Sequence, residues 1–222
     1  MACFASRTTA ATDAISLRHG STTETPSLTG RGYQPLRSRN LKTLDRALQR
    51  WRIAKAAPYV PKGAHVLDVG CADGALFRLL RGRIGSGVGI DPDLGEPYSA
   101  EGIRYIKGRF PDDLGISERF DAITMLAVFE HFDDNTQGRA AAACGALLRT
   151  GGRLILTVPE PAVDRIVHML ARLRLVSGMA VHEHHGFEAA LTPSRFAGTA
   201  LAIERHERFQ LGLNNLFVFR MS

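Results

Sequence analysis

From Lys62 onward the chain alternates short aliphatic runs with segments of helical spacing. AHVLDVG (64–70) is a run of aliphatic and β-branched residues, and ALFRLLRGR (75–83) after it carries apolar residues three and four apart. GSGVGID (85–91), RYIKGRF (104–110) and FDAITML (120–126) repeat the strand signal. An alanine-rich stretch from about Asn135 to Leu148 reads as a helix, and GGRLILTVP (151–159) as a fifth strand. The period of the apolar positions separates the two kinds of element. Strands alternating with helices at this spacing imply βαβ units, right-handed crossovers and a parallel sheet covered by helices on both faces.

The flanks differ. Leu41, Leu44, Leu48 and Trp51 recur at helical spacing with Arg or Lys between them and stop before Pro58 and Pro61, which predicts an amphipathic lead-in helix. Residues 1–38 are rich in Ser, Thr and Gly and poor in bulky apolar side chains, so they are expected to be a disordered leader. Downstream, Pro161 to Val176 has Val163, Ile166, Val167, Leu170 and Leu173 on one helical side. HEHHGFEAALTPSRF (182–196) is polar and loop-like; Thr192-Pro193-Ser194 is expected to cap a helix, and a helix of small residues to follow. IERHERFQLGLNNLFVFRM (203–221) predicts an antiparallel hairpin turning at Gly212, Asn214 and Asn215. The expected organisation is a leader over 1–38 and one domain over 39–222, in which 160–191 form a lid on the substrate side.

Composition narrows the class. With 222 residues and 45% hydrophobic content the chain can build one substantial core. Charged residues make up 23%, and no apolar run reaches the roughly 20 residues of a membrane span. Cys3, Cys71 and Cys144 form neither a disulfide framework nor a metal pattern, which fits a reducing, cytoplasmic setting. The N-terminus lacks the continuous apolar core of a secretory signal, although a transit peptide shares its composition. The net charge of +6 is uneven: ten Lys and Arg against three Asp and Glu precede residue 61. A basic arm of this kind can attract polyanions; the preferred reading is a solvated arm plus the charged face of one helix.

The strongest chemical signal is VLDVGCADG, Val66 to Gly74, in which a strand ends at Asp68 and glycines let the backbone turn sharply and admit a ligand. Its spacing is D-x-G-x-x-x-G, without the G-x-G-x-x-G of a dinucleotide fold or the Lys-Ser/Thr of a P-loop, so a pyrophosphate ligand is disfavoured. The second signal is Asp91, ending strand two 23 positions after Asp68 and followed by Pro92. A carboxylate at the carboxyl edge of a parallel sheet can accept both hydroxyls of a ribose; the plainer role for Asp91 is a turn or helix cap.

VLDVGCADG, GIDPD, FDAITMLAVFEHFDD and LLRTGGRLILTVP, in this order between Lys62 and Pro159, resemble the successive motifs of the class I S-adenosylmethionine (SAM) dependent methyltransferase superfamily. The resemblance implies a Rossmann-like, doubly wound α/β fold with a mostly parallel seven-stranded sheet and a C-terminal antiparallel hairpin. It implies SAM as cofactor and S-adenosylhomocysteine (SAH) as product. Asp68, Gly70, Cys71, Ala72 and Gly74 would surround the methionine part, Asp91 with Pro92 the ribose, Arg109 and Phe110 the adenine, and Leu126 with Ala127 would line the cofactor from strand four. Two positions depart from the family pattern: Ala72 stands where glycine is common, and Arg109 where an acid often meets the adenine, a role left to Asp112 or a backbone carbonyl.

Glu130-His131 resembles the EH pair of small-molecule methyltransferases and, more distantly, the E-x-x-E-H metal motif of some O-methyltransferases. Ala127 replaces the first Glu of that motif, so a metal would need His184 or His185 and a further donor, and no metal is expected. His131 is read either as a general base or as an imidazole capping the next helix. His182, His184 and His185 follow strand five and are candidates to deprotonate a hydroxyl, or else belong to a polar surface loop. The expected partner is a small-molecule acceptor such as a sugar or secondary metabolite, methylated on a hydroxyl. The competing readings are a methyltransferase holding RNA through the basic arm and a non-catalytic partner subunit. Strand four lacks the [DN]-P-P-[YF] signature, and no aromatic-interleaved basic patch is present, so nucleic acid is disfavoured. The oligomeric state stays open at this level.

Overall fold

A computed structural model describes residues 36–160 and 188–222, with the side chains of 36–42 and 44 left aside. The remainder of the expected leader, the helix expected from Pro161, and His182, His184 and His185 all lie outside the described residues.

The lead-in helix, α1, runs Leu36–Ala56 and gives way to a short 3-10 turn at Ala57–Tyr59, where Pro58 cannot continue the hydrogen-bond ladder. Its buried face is Ile53 and Ala56, at 3% and 0% exposure, and not Trp51, which is 45% exposed and rests edge-on against Phe209. Of the expected stripe, Leu48 is half-buried and Trp51 exposed, while Ile53 and Ala56 join Val60 in the core.

The strands are β1 (Ala64–Val69), β2 (Ile84–Asp91), β3 (Tyr98–Ala100), β4 (Ile103–Lys107), β5 (Phe120–Leu126), β6 (Leu148–Pro159), β7 (Leu201–Phe209) and β8 (Asn214–Met221). They form one sheet in the order β3-β4-β2-β1-β5-β6-β8-β7. The pairs β4-β2-β1-β5-β6 are parallel, while β6-β8, β8-β7 and β3-β4 are antiparallel. The architecture is the expected α/β one, with eight strands in place of seven: Tyr98–Ala100 adds a short edge strand that has no periodicity signal and is exposed throughout.

The other helices are α2 (Ala75–Leu79), α3 (Asp134–Leu147) and α4 (Thr192–Arg195). The alternation of side chains along the strands sorts the core onto two faces. Val66, Ala122, Ile155 and Val218 pack with Ile53, Ala56, Leu76 and Phe77 under α1 and α2. Leu67, Ile123, Leu154, Leu156, Phe217 and Phe219 pack with Ala140 and Cys144 of α3 and with Phe129 and Phe196.

Three local expectations are corrected. The cap of α3 is Asp133, whose carboxylate accepts the Thr136 N–H at 2.7 Å, and not His131. α4 has no side-chain cap and is followed by turn up to Ala200, not by a helix of small residues, because Gly198 adopts φ +83° and β7 begins at Leu201. The hairpin turns through Gln210 to Gly212, all at positive φ. Asn214 and Asn215 belong to β8, where the Asn215 amide donates to Glu160 Oε1 at 3.0 Å and accepts from His206 Nε2 at 2.9 Å.

Candidate active site

In an open parallel sheet, ligands bind beyond the carboxyl ends of the strands where the strand order reverses. Here that point is β1, flanked by β2 on one side and β5 on the other. A cavity of about 1340 Å³ opens there, walled by the β1–α2 loop, the end of β2, the segments after β4 and β5, and α1 from above.

The β1–α2 loop takes its shape from two left-handed positions. Gly70 has φ +72°, and a Cβ there would overlap the Val128 side chain, so only glycine lets the loop pass under the β5 segment. Gly74 has φ +70°, and its missing Cβ leaves room for the Tyr105 hydroxyl. Ala72 also carries a positive φ, +45°, as the usual glycine would; this costs an L-residue roughly 1–2 kcal/mol. The loop is tied to β2 by the Gly70 N–H donating to the Ile90 carbonyl at 2.8 Å.

Asp91 closes the loop from the β2 side. Its Oδ2 accepts the Ala72 N–H at 2.9 Å and its Oδ1 the Asp93 N–H at 2.9 Å. Each carboxylate oxygen has a second lone pair, so two acceptor positions remain for ligand hydroxyls. The turn role of Asp91 is thus met without using up its acceptor capacity.

Asp68 is 4% exposed at the end of β1. Burial pushes its carboxyl up to about 7, against the pull of the Thr124 hydroxyl, which donates to Oδ1 at 2.7 Å, and with a further push from the charge of Asp91. Burial, together with the charges of Asp68 and Asp91, also pushes the Cys71 thiol up, so it is not a thiolate nucleophile.

Of the residues singled out in the sequence, Asp68, Gly70, Cys71, Ala72, Asp91, Pro92, Arg109, Phe110, Leu126 and His131 all line this one cavity. Gly74 is not on its wall; it sits at the N-terminus of α2 and shapes the turn. Asp112 lines the cavity but is ion-paired with Arg139, and the Arg109 N–H donates to Asp113 Oδ2 at 2.8 Å. Glu130 and His131 lie in a 3-10 turn, Phe129–His131, directly after β5; Glu130 is 5% exposed. Among the described residues no group of three or more His, Cys, Asp and Glu is placed to hold a metal, and no helix is long and apolar enough to cross a membrane.

The sequence reading missed the roof. Asp45, Arg46, Gln49 and Arg52 of α1 line the cavity, where the helical spacing alone predicts a solvated face. One signal was present: Arg52 continues the four-residue spacing of Leu44 and Leu48, a charge where the apolar stripe should run on.

A glycine-turned loop, a strand-end acid and an open crevice at the sheet's switch point define a nucleoside-binding α/β domain of the SAM-dependent methyltransferase class. Residues 40–194 match the family model of the methyltransferase domain, and the chain belongs to that family. The chain is 27% identical over 141 residues to a ubiquinone biosynthesis O-methyltransferase from Coxiella burnetii; the match covers 60% of this chain and 59% of that relative. Among solved structures, it resembles magnesium protoporphyrin IX methyltransferase (ChlM) from Synechocystis PCC 6803 with bound SAH, at 14% identity and a TM-score of 0.59, covering 87% of this chain and 90% of that one. It also resembles the N-methyltransferase NodS from Bradyrhizobium japonicum WM9 in complex with SAH, at 20% identity and a TM-score of 0.53, covering 80% and 86%.

Proposed function

We propose that the protein transfers a methyl group from SAM to a hydroxyl of a small-molecule acceptor, with His131 as the base. The observation that carries this reading is that His131, Asp91 and the Gly70 loop share one cavity wall. Its volume, about 1340 Å³, exceeds the roughly 300–1,000 Å³ of a pocket for a single drug-sized ligand, which leaves room for a cofactor and a small acceptor. The Coxiella relative carries the name of an O-methyltransferase, which favours oxygen as target atom.

SAM supplies an activated methyl group on a sulfonium. The chain supplies position: Asp91 accepts the ribose hydroxyls, Phe110 and Arg109 flank the base, and the backbone of Gly70, Cys71 and Ala72 lies along the amino-acid end. Leu126 and Ala127 form the wall beside the reacting centre, and His131 takes the proton that the acceptor hydroxyl loses on methylation. Cys71, held as a neutral thiol, does not compete for the methyl group.

The test is a methyl-transfer assay with SAM and a panel of phenols, catechols and sugar alcohols, with the product identified by mass spectrometry and NMR. Expected is an O-methyl product, and a His131→Gln variant that keeps its SAH affinity while kcat falls about 10²–10⁴-fold. An N-methyl product, or unchanged kcat in the variant, would sink the reading.

A further inference from the structure

Tyr105 of β4 stands outside the cavity, yet it packs against the β1–α2 loop that forms one wall of it. The end of β2 makes this contact possible. Gly89 and Tyr105 are cross-strand neighbours in the β2–β4 pair. A Cβ on Gly89 would lie 2.8 Å from Cys71 Sγ and 3.1 Å from Cδ1 of the Tyr105 ring, so the missing side chain opens a notch that both residues fill. Cys71 enters it from the loop and Tyr105 from the sheet. The ring then reaches the turn at Gly74, where a Cβ would meet the Tyr105 hydroxyl at 2.6 Å.

Two further aromatics fix the ring. Phe77 of α2 meets it edge-on, with centroids 6.0 Å apart and planes at 86°. Tyr98, its partner in the β3–β4 pair, stacks on it at 4.4 Å and 14°. Tyr98 is 48% exposed and Tyr105 7%, so the edge strand β3 covers this ring from solvent. The backbone bonds that tie the loop to β2 lie in its first half: the Gly70 and Cys71 N–H groups donate to the Ile90 carbonyl at 2.8 and 3.4 Å, and the Ala72 N–H to Asp91 at 2.9 Å. The Gly74 N–H turns back to the Cys71 carbonyl within the loop, and what Gly74 meets from the sheet is Tyr105.

We propose that Tyr105 is a positioning residue for the cofactor: it props the loop at Gly74 in the conformation that binds SAM, from outside the cavity. The proposal rests on the reading that this loop holds the cofactor, and not on the O-methyl reading. A loop free to leave its binding conformation binds only for the fraction of time it spends there, and the apparent affinity falls by that fraction.

The experiment is isothermal titration of the full chain with SAH over a double-mutant cycle of wild type, Gly74→Ala, Tyr105→Phe and the double variant, with thermal melts of each unliganded protein. The left-handed strain at Gly74, φ +70°, is common to both backgrounds and cancels, whereas the overlap of Cβ with a hydroxyl exists only with tyrosine. Gly74→Ala is expected to weaken SAH binding about 10-fold or more in the wild type, and the loss to be at least about 3-fold smaller beside Tyr105→Phe. Tyr105→Leu removes the prop and should weaken SAH binding about 10-fold, while Leu154→Ala, a core change on the other face of the sheet, lowers the melting temperature and leaves the affinity intact. Should Tyr105→Leu fail to fold, the cycle decides alone. If Tyr105 is only a core residue, the coupling shows in the melts and not in the SAH affinities, and the proposal is overturned. An equal loss of affinity in both backgrounds overturns the role of Tyr105 alone; no loss on Gly74→Ala in the wild type overturns the loop reading with it.

Discussion

Thr124 Oγ1 donates a 2.7 Å hydrogen bond to Asp68 Oδ1 across the β1–β5 pair, where both side chains are buried at the carboxyl edge of the sheet. Burial raises the Asp68 carboxyl from 3.8 to about 7, so the folded chain keeps this proton where the unfolded chain has released it. Between about pH 4 and 7 the native state binds more protons. Stability contributed by Asp68 is therefore fully present below its unfolded value and is lost as pH rises through its folded one, at up to about 1.4 kcal/mol per pH unit. The difference in melting temperature between wild type and Asp68→Asn should fall from pH 4 to pH 8; a flat difference would refute the assignment. Thr124→Val removes the donor that favours the ionised form, and should extend the fall to higher pH.

Asp91 holds two backbone N–H groups, of Ala72 and Asp93, and is proposed to receive the ribose hydroxyls. Asp91→Ala should weaken SAH binding by at least 10- to 100-fold and destabilise the unliganded fold by about 1–3 kcal/mol, because those donors lose a charged acceptor. Asp91→Asn, retaining one acceptor oxygen, should fall between. Titration calorimetry and thermal melts measure the two effects separately.

Gly70 and Val128 meet where a Cβ would not fit, and Gly70 also has φ +72°. Gly70→Ala should cost about 2–4 kcal/mol and abolish measurable SAH binding, as overpacking and left-handed strain add. Adding Val128→Ala should recover only part of the stability, since it relieves the overlap and not the strain. Ala72→Gly runs the other way: with φ +45° at position 72, glycine should raise stability by up to roughly 1 kcal/mol.

His65 lies at the opposite end of β1 from the cavity. Its Nδ1 is 2.7 Å from Ser86 Oγ, its Nε2 3.0 Å from Glu118 Oε2, and its ring stacks on Phe120. His65→Ala should lower stability by about 1–3 kcal/mol through the polar groups it strands, with SAH affinity unchanged. A weakened cofactor affinity would show that the two edges of the sheet are coupled.

What the sequence determined by itself is what contiguous residues encode. The aliphatic runs of β1, β2, β4, β5 and β6, the glycine turn at Gly70 and Gly74, the acids ending two strands and the helical period of α3 each express a local physical requirement: a strand buried on both faces, a backbone needing positive φ, a carboxylate at an open edge. These sufficed for the fold class and for the loop and strand-end residues of the cavity wall. The tertiary structure decided what depends on partners distant in the chain. Only packing shows that Val128 makes Gly70 obligatory, that Thr124 faces Asp68, and that Trp51 stays half outside while Arg52 turns in. Short elements such as β3 were equally hidden, because three residues carry no period. The cost of a crowded Cβ belongs to a place in space, which no run of contiguous residues specifies.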